Sequence, residues 1–577
     1  IRSVSATGRV SAHPTNVRSI LFGTWRRRMQ AECYPISTLP GTSALFRDYA
    51  EATDRSAVER LRQWYPADPF RMEWAHKGPE FPLEHRERLA DALKSQSEML
   101  GAGPAALANI ERLRGGAAAV VTGQQVGLFG GPLLTLLKAA TAIRKAQDAT
   151  AVSGREHVPV FWLATEDHDL PEVDQVHLPG KTSIETGHLR IGDNGHASPV
   201  GALPVGSTSE AGLAWAEELL QFAPVCDWLR EAYTDHAGYT ATLASGMGRL
   251  LSRVFAEQGL VVMDASERPF HALGAGVLRI ALEDADGLEA ALIERSAELE
   301  RAGYHAQVKV AAGMSLLFLV SEGSDGVPER KSLRRLPDGG WKAGARSYST
   351  AELLQILDAE PERLSPNALL RPVMQDAILP TAAYIGGPAE IAYFAQSAVV
   401  YQRILGRVTA VLPRLSATLV EPAIAEIMAR HEVQFLQALE AKTAGEMTVR
   451  LGARAMPVEG KRKLAAAGNA LDTELSALLE YMASLSPDLG RAAGVSASKM
   501  RYQMNRLRRM AARFEGERMG SLSKQATAVM LSLFPEEHLQ ERLIAGVYFL
   551  AKFGETLPQR LVEHAGQECP GHRVLWL

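Results

Sequence analysis

The chain has 577 residues, too many for one hydrophobic core, so it should divide into about two to four domains. Hydrophobic residues make up 46% and charged residues 22%, as in ordinary soluble globular proteins. A net charge of −4 and a pI near 6.5 argue against a general nucleic-acid binder, and no apolar run reaches the roughly 18 residues of a membrane span.

Residues 1–31 carry six arginines and no acidic residue, and they open on Ile1. The expectation is a poorly ordered or mis-assigned extension, with the natural start at Met29. Segments 44–51, 55–64 and 83–100 read as helices. Residues 117–121 form a short Val-rich run stopped by Thr122-Gly123, which predicts a buried strand. A turn containing Gly123, Gly127, Gly130 and Gly131 follows, and Pro132 suits a first helical position. Leu133, Leu136, Leu137, Ala140 and Ile143 then recur at helical spacing. A second strand over 158–163 runs into Glu166, Asp167, His168 and Asp169. Strand, turn, helix and strand make a βαβ unit, whose loops lie at the carboxyl edge of a parallel sheet. The turn matches neither common phosphate-binding fingerprint.

Residues 179–208 read as a loop-rich insertion or a few short strands, with helices over 210–220 and 240–258. A third strand, 259–263, ends in Asp264, Ser266 and Glu267, and a helical pattern covers 279–301. The period then becomes two over 305–310, with further strands at 316–320 and 334–342. This predicts an inserted antiparallel segment at about 303–345. Ser349 and Glu352 form a capping box. A fourth strand at 381–385 meets the turn Gly386-Gly387-Pro388 and a helix from Glu390; a fifth at 408–412 ends at Pro413-Arg414. The fold class is therefore α/β, a doubly wound core over 32–421 whose five strand ends line one crevice.

From residue 422 to 577 the grammar becomes helical. Leu471, Leu475, Leu478, Met482 and Leu485 step by four and three, as do Met500, Met504, Leu507, Ala511 and Phe514. Two short heptad seams with a bend at 490–494 predict a hairpin whose apolar stripe self-association would cover. Cys33, Cys226 and Cys569 are far apart and show neither metal spacing nor a disulfide framework, which suggests a reducing cytoplasm.

Four stretches carry a family resemblance: TGQQVGLFGGPLLTLLKA (122–139), VPVFWLATEDHDLPEVDQV (158–176), LSPNALLRPVMQDAILPTAAYIGGPAEIAYFAQ (364–396) and VLPRLSATLVE (411–421). Together they resemble the bacillithiol biosynthesis BshC family of cysteine ligases, and AECYPISTLPGTSALFRDY resembles that family's N-terminus. The resemblance implies a Rossmann-like core and a C-terminal coiled coil used for homodimerisation. It also implies a cytoplasmic enzyme that joins L-cysteine to glucosaminyl-malate through an amide bond. The wider superfamily suggests ATP with Mg2+ as cofactors, but its His-x-Gly-His is replaced by Gly123-Gln124-Gln125, and SASKM at 496–500 is only superficially like its Lys-Met-Ser-Lys-Ser loop.

Such a reaction needs an activated acyl group, a base for the attacking amine and dipoles for the oxyanion. His168 is the expected proton-transfer group because its ordinary pKa, about 6.5, lies near neutrality. Glu166 and Asp169 join it as catalytic candidates, and with Asp167 they are candidates for substrate amines or Mg2+. Gln124, Gln125 and Asp376 are expected to read sugar hydroxyls, and Arg414 to hold malate carboxylates. Gly123, Gln375, Tyr384 and Glu390 complete the expected substrate-binding set, and no dedicated metal site is expected. Backbone N–H groups at Gly130-Gly131 or Gly386-Gly387 are the expected cradle for a nucleotide or other anion. The alternatives are a nucleotide-dependent ligase or nucleotidyltransferase acting on another small amine and acid, and a non-catalytic dimeric coiled-coil scaffold.

Overall fold

The computed structural model describes residues 31–577 apart from 52–54, 168, 189–197, 237, 323–327 and 568. Five short apolar strands form one parallel sheet: β1 (Ala118–Gln125), β2 (His157–Ala164), β3 (Val261–Asp264), β4 (Thr381–Gly386) and β5 (Ala410–Pro413). Their spatial order is β5-β4-β1-β2-β3, so the chain winds outward from β1 to β3 and then crosses back to β4. The continuous apolar runs are explained by burial on both faces. Along β1, Ala119 and Val121 pack into one cluster while Ala118 and Val120 pack into another.

The helix α1 (Leu134–Ser153) follows β1. Pro132 lies outside it, bridged to Ala545 rather than at the expected first helical position. The expected helix over 279–301 is two helices, α2 (Arg268–Glu283) and Ala285–Arg301. The helix α3 (Arg371–Ile378) precedes β4, and α4 (Pro388–Leu405) follows it. The capping box forms as read, with the Ser349 hydroxyl accepting from the Glu352 N–H at 3.2 Å. Between α2 and α3 an antiparallel sheet runs from Met314–Glu322 to Leu364–Pro366, extending well past the expected limit near 345. Residues 305–310 alternate in sequence but form no strand.

The C-terminal part is dominated by a hairpin of α5 (Val458–Leu485) and α6 (Pro487–Arg518). The reversal sits at Ser486-Pro487, not at 490–494. Ser486 is extended at φ −162°, as a residue before proline prefers, and Pro487 opens the next helix, where no N–H is needed. Gly490 instead lets the arms approach closely, because a Cβ there would lie 2.9 Å from Ala483 Cα. Ala444–Ala455 packs on α6 through Gly452 and Gly516. Leu485, Tyr502, Leu507 and Phe514 remain exposed along the hairpin. Among the described residues no helix is long and apolar enough to cross a membrane.

A three-stranded sheet joins the two ends of the described chain: Ala31–Tyr34 pairs with His572–Trp576, which pairs with Ser416–Val420. This brings Cys33 and Cys569 together in a disulfide with Cα atoms 5.9 Å apart, correcting the reading of three unpaired cysteines. Spacing could not reveal a partner 536 residues away. The argument from cysteine usage to a reducing compartment loses its basis.

Beside this sheet lies a buried ion pair. Arg414 Nη2 and Nη1 donate to Glu541 at 2.6 and 3.0 Å, and Glu541 also accepts from the Ala417 N–H at 2.7 Å and the Ser416 hydroxyl at 3.0 Å. Burial alone would raise the Glu541 pKa, but the Arg414 guanidinium and these donors bring it down to about 2. A carboxylate with a depressed folded pKa stabilises the fold above its unfolded value, 4.5, and loses that contribution as pH falls toward 2. Glu541→Gln is expected to cost about 3–5 kcal/mol at neutral pH and to flatten the loss of stability between these two pH values. Urea titrations across that range check this; an acid profile parallel to the parent's would contradict it.

Candidate active site

A cleft of about 610 Å3 opens at the carboxyl ends of β1, β2 and β4, on the point where the strand order reverses. This is where doubly wound sheets place ligands, and the volume suits a small molecule. Gly123 ends the close-packed part of β1: a Cβ there would lie 2.9 Å from Trp162 O on the neighbouring strand. Its carbonyl accepts a hydrogen bond of 2.6 Å from Lys138 Nζ, which reaches back from the first turns of α1. The same Nζ donates to Gln124 Oε1 at 2.9 Å and lies 2.5 Å from Glu390 Oε2.

Glu390 is the hub of this wall. It accepts from the Tyr384 hydroxyl at 2.5 Å and from the Gly387 N–H at 2.8 Å. Burial opposes its charge, but Lys138, Tyr384 and Gly387 prevail and hold its pKa below the ordinary carboxylate value. Burial likewise lowers the Lys138 pKa, with Glu390 opposing. Behind them Arg371 Nη2 donates to the Tyr393 hydroxyl at 2.8 Å.

The facing wall comes from β2 and the inserted sheet. Gln125 Nε2 donates to Asp167 at 2.9 Å, and Arg330 approaches the other carboxylate oxygen of Asp167 at 3.9 Å. Arg330 stacks over the Phe318 ring and donates to Ser365 Oγ at 3.0 Å and Pro366 O at 2.9 Å. Glu166 Oε1 lies 2.9 Å from Nε2 of His271, a fully buried residue of α2. Burial alone would lower the His271 pKa, yet the Glu166 carboxylate raises it above the ordinary value.

The structure therefore gathers Gly123, Gln124, Gln125, Glu166, Asp167, Tyr384, Gly387, Glu390 and Arg414 around one cleft. Several expected members stand elsewhere. Asp169 is exposed ahead of the short helix Leu170–Val173, and His168 lies outside the described residues. Gln375 and Asp376 are buried away from the cleft; Asp376 accepts from Gln375 Nε2 at 3.0 Å and the Tyr401 hydroxyl at 2.8 Å. Gly130 and Gly131 do not line it: the turn docks the C-terminal segment through the Gly546 N–H, which donates to Gly131 O, and the helix Val225–Tyr233 through the Tyr233 hydroxyl, which accepts from the Gly130 N–H. The carbonyl of Gly386 accepts from the Arg414 N–H, and the Gly387 N–H is taken by Glu390. Arg414 lines the cleft with its guanidinium engaged by Glu541. The strand end at Asp264 supports its neighbour instead, accepting from Thr165 Oγ1 at 2.5 Å.

Residues 29–415 match the family model described as "Bacillithiol biosynthesis BshC, N-terminal Rossmann-like domain", and residues 417–577 match "Bacillithiol biosynthesis BshC, C-terminal coiled-coil domain". The chain belongs to the BshC family. Relatives named "Putative cysteine ligase BshC" include one from Koribacter versatilis, 42% identical over 95% of this chain and 100% of its own. That of Solibacter usitatus is 35% identical with the same coverage, and that of Thermus thermophilus is 32% identical over 82% of this chain and 92% of its own. The parallel core is thus the Rossmann-like domain of a BshC protein, and the hairpin belongs to its coiled-coil domain.

Sequence reasoning passed over Lys138, His271, Arg330 and Arg371. The signal for Lys138 was present, a lysine set among the apolar residues that open the helix after the glycine turn. Removing its charge should leave Glu390 buried and unpaired, a defect worth about 3–5 kcal/mol. Lys138→Met is expected to show that loss in urea denaturation, and adding Glu390→Gln to recover part of it. Strictly additive losses in the double variant would mean that the two groups are not coupled.

Proposed function

We propose that this BshC protein is a ligase that joins the carboxyl of L-cysteine to the amine of glucosaminyl-malate, the last step of bacillithiol biosynthesis. The observation that carries the reading is the polarity of the cleft. Glu166 and Asp167 on the β2 side suit substrate amines, and a cationic side at Arg542 suits carboxylates, Arg414 beside it being held by Glu541. The relatives' name, cysteine ligase, agrees with it. The cell compartment that suits a cysteine-consuming pathway is the cytoplasm.

In this proposal Glu166, steadied by His271, accepts the proton of the attacking amine, because its carboxylate is the acid on the open wall with a fixed partner. Glu390 cannot serve as readily, since Lys138, Tyr384 and Gly387 already occupy its oxygens. Gln124 and Gln125 remain the candidates for sugar hydroxyls. ATP with Mg2+, when bound, would supply the activation that a free carboxylate lacks. The glycine turns do not fit its phosphates, since Gly130 and Gly387 N–H groups are already bonded within the chain. Among the described residues no group of three or more His, Cys, Asp or Glu side chains converges as for a metal ion.

Cells lacking this protein are expected to accumulate glucosaminyl-malate and lose bacillithiol, and the gene carrying Glu166→Gln to restore little of it. Thiol profiling by mass spectrometry reads both; normal bacillithiol in the deletion would refute the assignment. The exposed stripe on α5 and α6 is also the proposed homodimer surface, because burying such side chains is worth about 1.5–3 kcal/mol each. Leu507→Glu combined with Phe514→Glu should halve the mass in light scattering without loss of helicity. A parent protein that is already monomeric would end this part of the proposal.

A further inference from the structure

Arg542, on the short helix Gln540–Leu543, lines the cleft from the C-terminal domain. Its neighbours on both sides are anchored. Buried Gln540 donates to Leu419 O at 2.9 Å and accepts from the Leu419 N–H at 2.8 Å, and buried Glu541 grips Arg414, Ser416 and Ala417. Beyond it, Ile544 O accepts from the Leu133 N–H at 2.8 Å and the Gly546 N–H donates to Gly131 O at 3.0 Å. The backbone that carries Arg542 is therefore held from both directions.

Its guanidinium is not. Arg542 is solvent-exposed, and among the described residues its side chain has no hydrogen bond and no ion pair. The other cations of the cleft are engaged: Lys138 by Glu390, Arg371 by Tyr393, Arg414 by Glu541, and Arg330 by Ser365 and Pro366. A guanidinium on a fixed backbone, facing an open cleft, is prearranged for a planar or tetrahedral oxyanion. Arg414, beside it, follows β5, while Glu166 and Asp167 follow β2 three strands away, a separation of about 14 Å at ordinary strand spacing. The cleft thus has an acidic pole at Glu166 and Asp167 and a basic pole at Arg542.

We propose that Arg542 is the anion anchor of the cleft, holding a carboxylate or phosphate group of a substrate whose amine end faces Glu166 and Asp167. The coiled-coil domain then supplies a binding group to a site otherwise walled by the Rossmann-like domain. This deepens the function proposed above and rests on it only for the identity of the anionic substrate.

Calorimetric titration of the full-length protein with glucosaminyl-malate, ATP and inorganic phosphate tests it. Arg542→Gln should weaken binding about ten- to a hundredfold, the range expected for one charge-assisted contact, with an unchanged melting temperature. Arg542→Lys should fall between, keeping the charge but losing the fork geometry. Weakening confined to glucosaminyl-malate identifies a carboxylate anchor; weakening confined to ATP and phosphate identifies a phosphate anchor. If the parent binds ATP or phosphate through Arg542 but not glucosaminyl-malate, the anchor stands and the ligase reading fails. Unchanged affinities in Arg542→Gln, or a parent that binds none of the three, overturn the anchor. Should the Gln variant melt early, the Lys variant decides: restored affinity supports the proposal and equal weakness overturns it.

Discussion

A buried arginine–carboxylate pair makes the two domains of this BshC protein share one cleft. Arg414 follows the last strand of the parallel sheet, and Glu541 arrives from the C-terminal domain 127 residues later. Two charges with side-chain exposures of 3% and 2% are tolerable only because every oxygen of Glu541 finds a donor. Breaking that satisfaction would release the segment that also stitches to the glycine turn after β1 and carries Arg542. Domain docking and site assembly therefore depend on the same contact.

The cleft itself shows how a doubly wound sheet divides labour among its strand ends. The ends of β1, β2 and β4 face the cleft, whereas the end of β3 holds the β2 loop through Asp264 and Thr165. The inserted antiparallel sheet delivers Arg330 to the Asp167 side, and α2 delivers His271 beneath Glu166. On the other wall Lys138, Glu390 and Tyr384 form a fully engaged network, rigid rather than open. Glu166 and Asp167 line one end of the cleft and Arg542 the other, which is where a substrate carrying both an amine and an acid would bridge them.

The hairpin stands in contrast to this rigidity. Close backbone approach at Gly452, Gly490 and Gly516 packs its helices without many buried side chains, so the apolar stripe stays outside. Apart from Leu475 and Met504, the buried residues of the two arms are small and most large apolar ones lie outside, the reverse of a self-sufficient bundle.

How much of this was legible beforehand follows from the range of the interactions. Strands of the parallel core could be read because burial on both faces demands uninterrupted Val, Ala and Ile over a few residues, and their polar ends followed from where such strands stop. The capping box at Ser349 is equally local. Asp376 and Gln375 looked functional because polar residues beside an apolar strand are conspicuous, yet Tyr401 and Thr409, distant in sequence, absorb Asp376 into the core. Gly130 and Gly131 resembled an anion cradle, but their N–H groups are taken by the Tyr233 hydroxyl and the Leu128 carbonyl. The sequence by itself determined the strand-and-helix grammar and the family, since both rest on contiguous residues. Only the tertiary structure decided which side chains meet: Lys138 with Glu390, His271 with Glu166, Arg414 with Glu541, and Cys33 with Cys569. Each of those pairs joins residues at least 100 positions apart, where no local periodicity carries information.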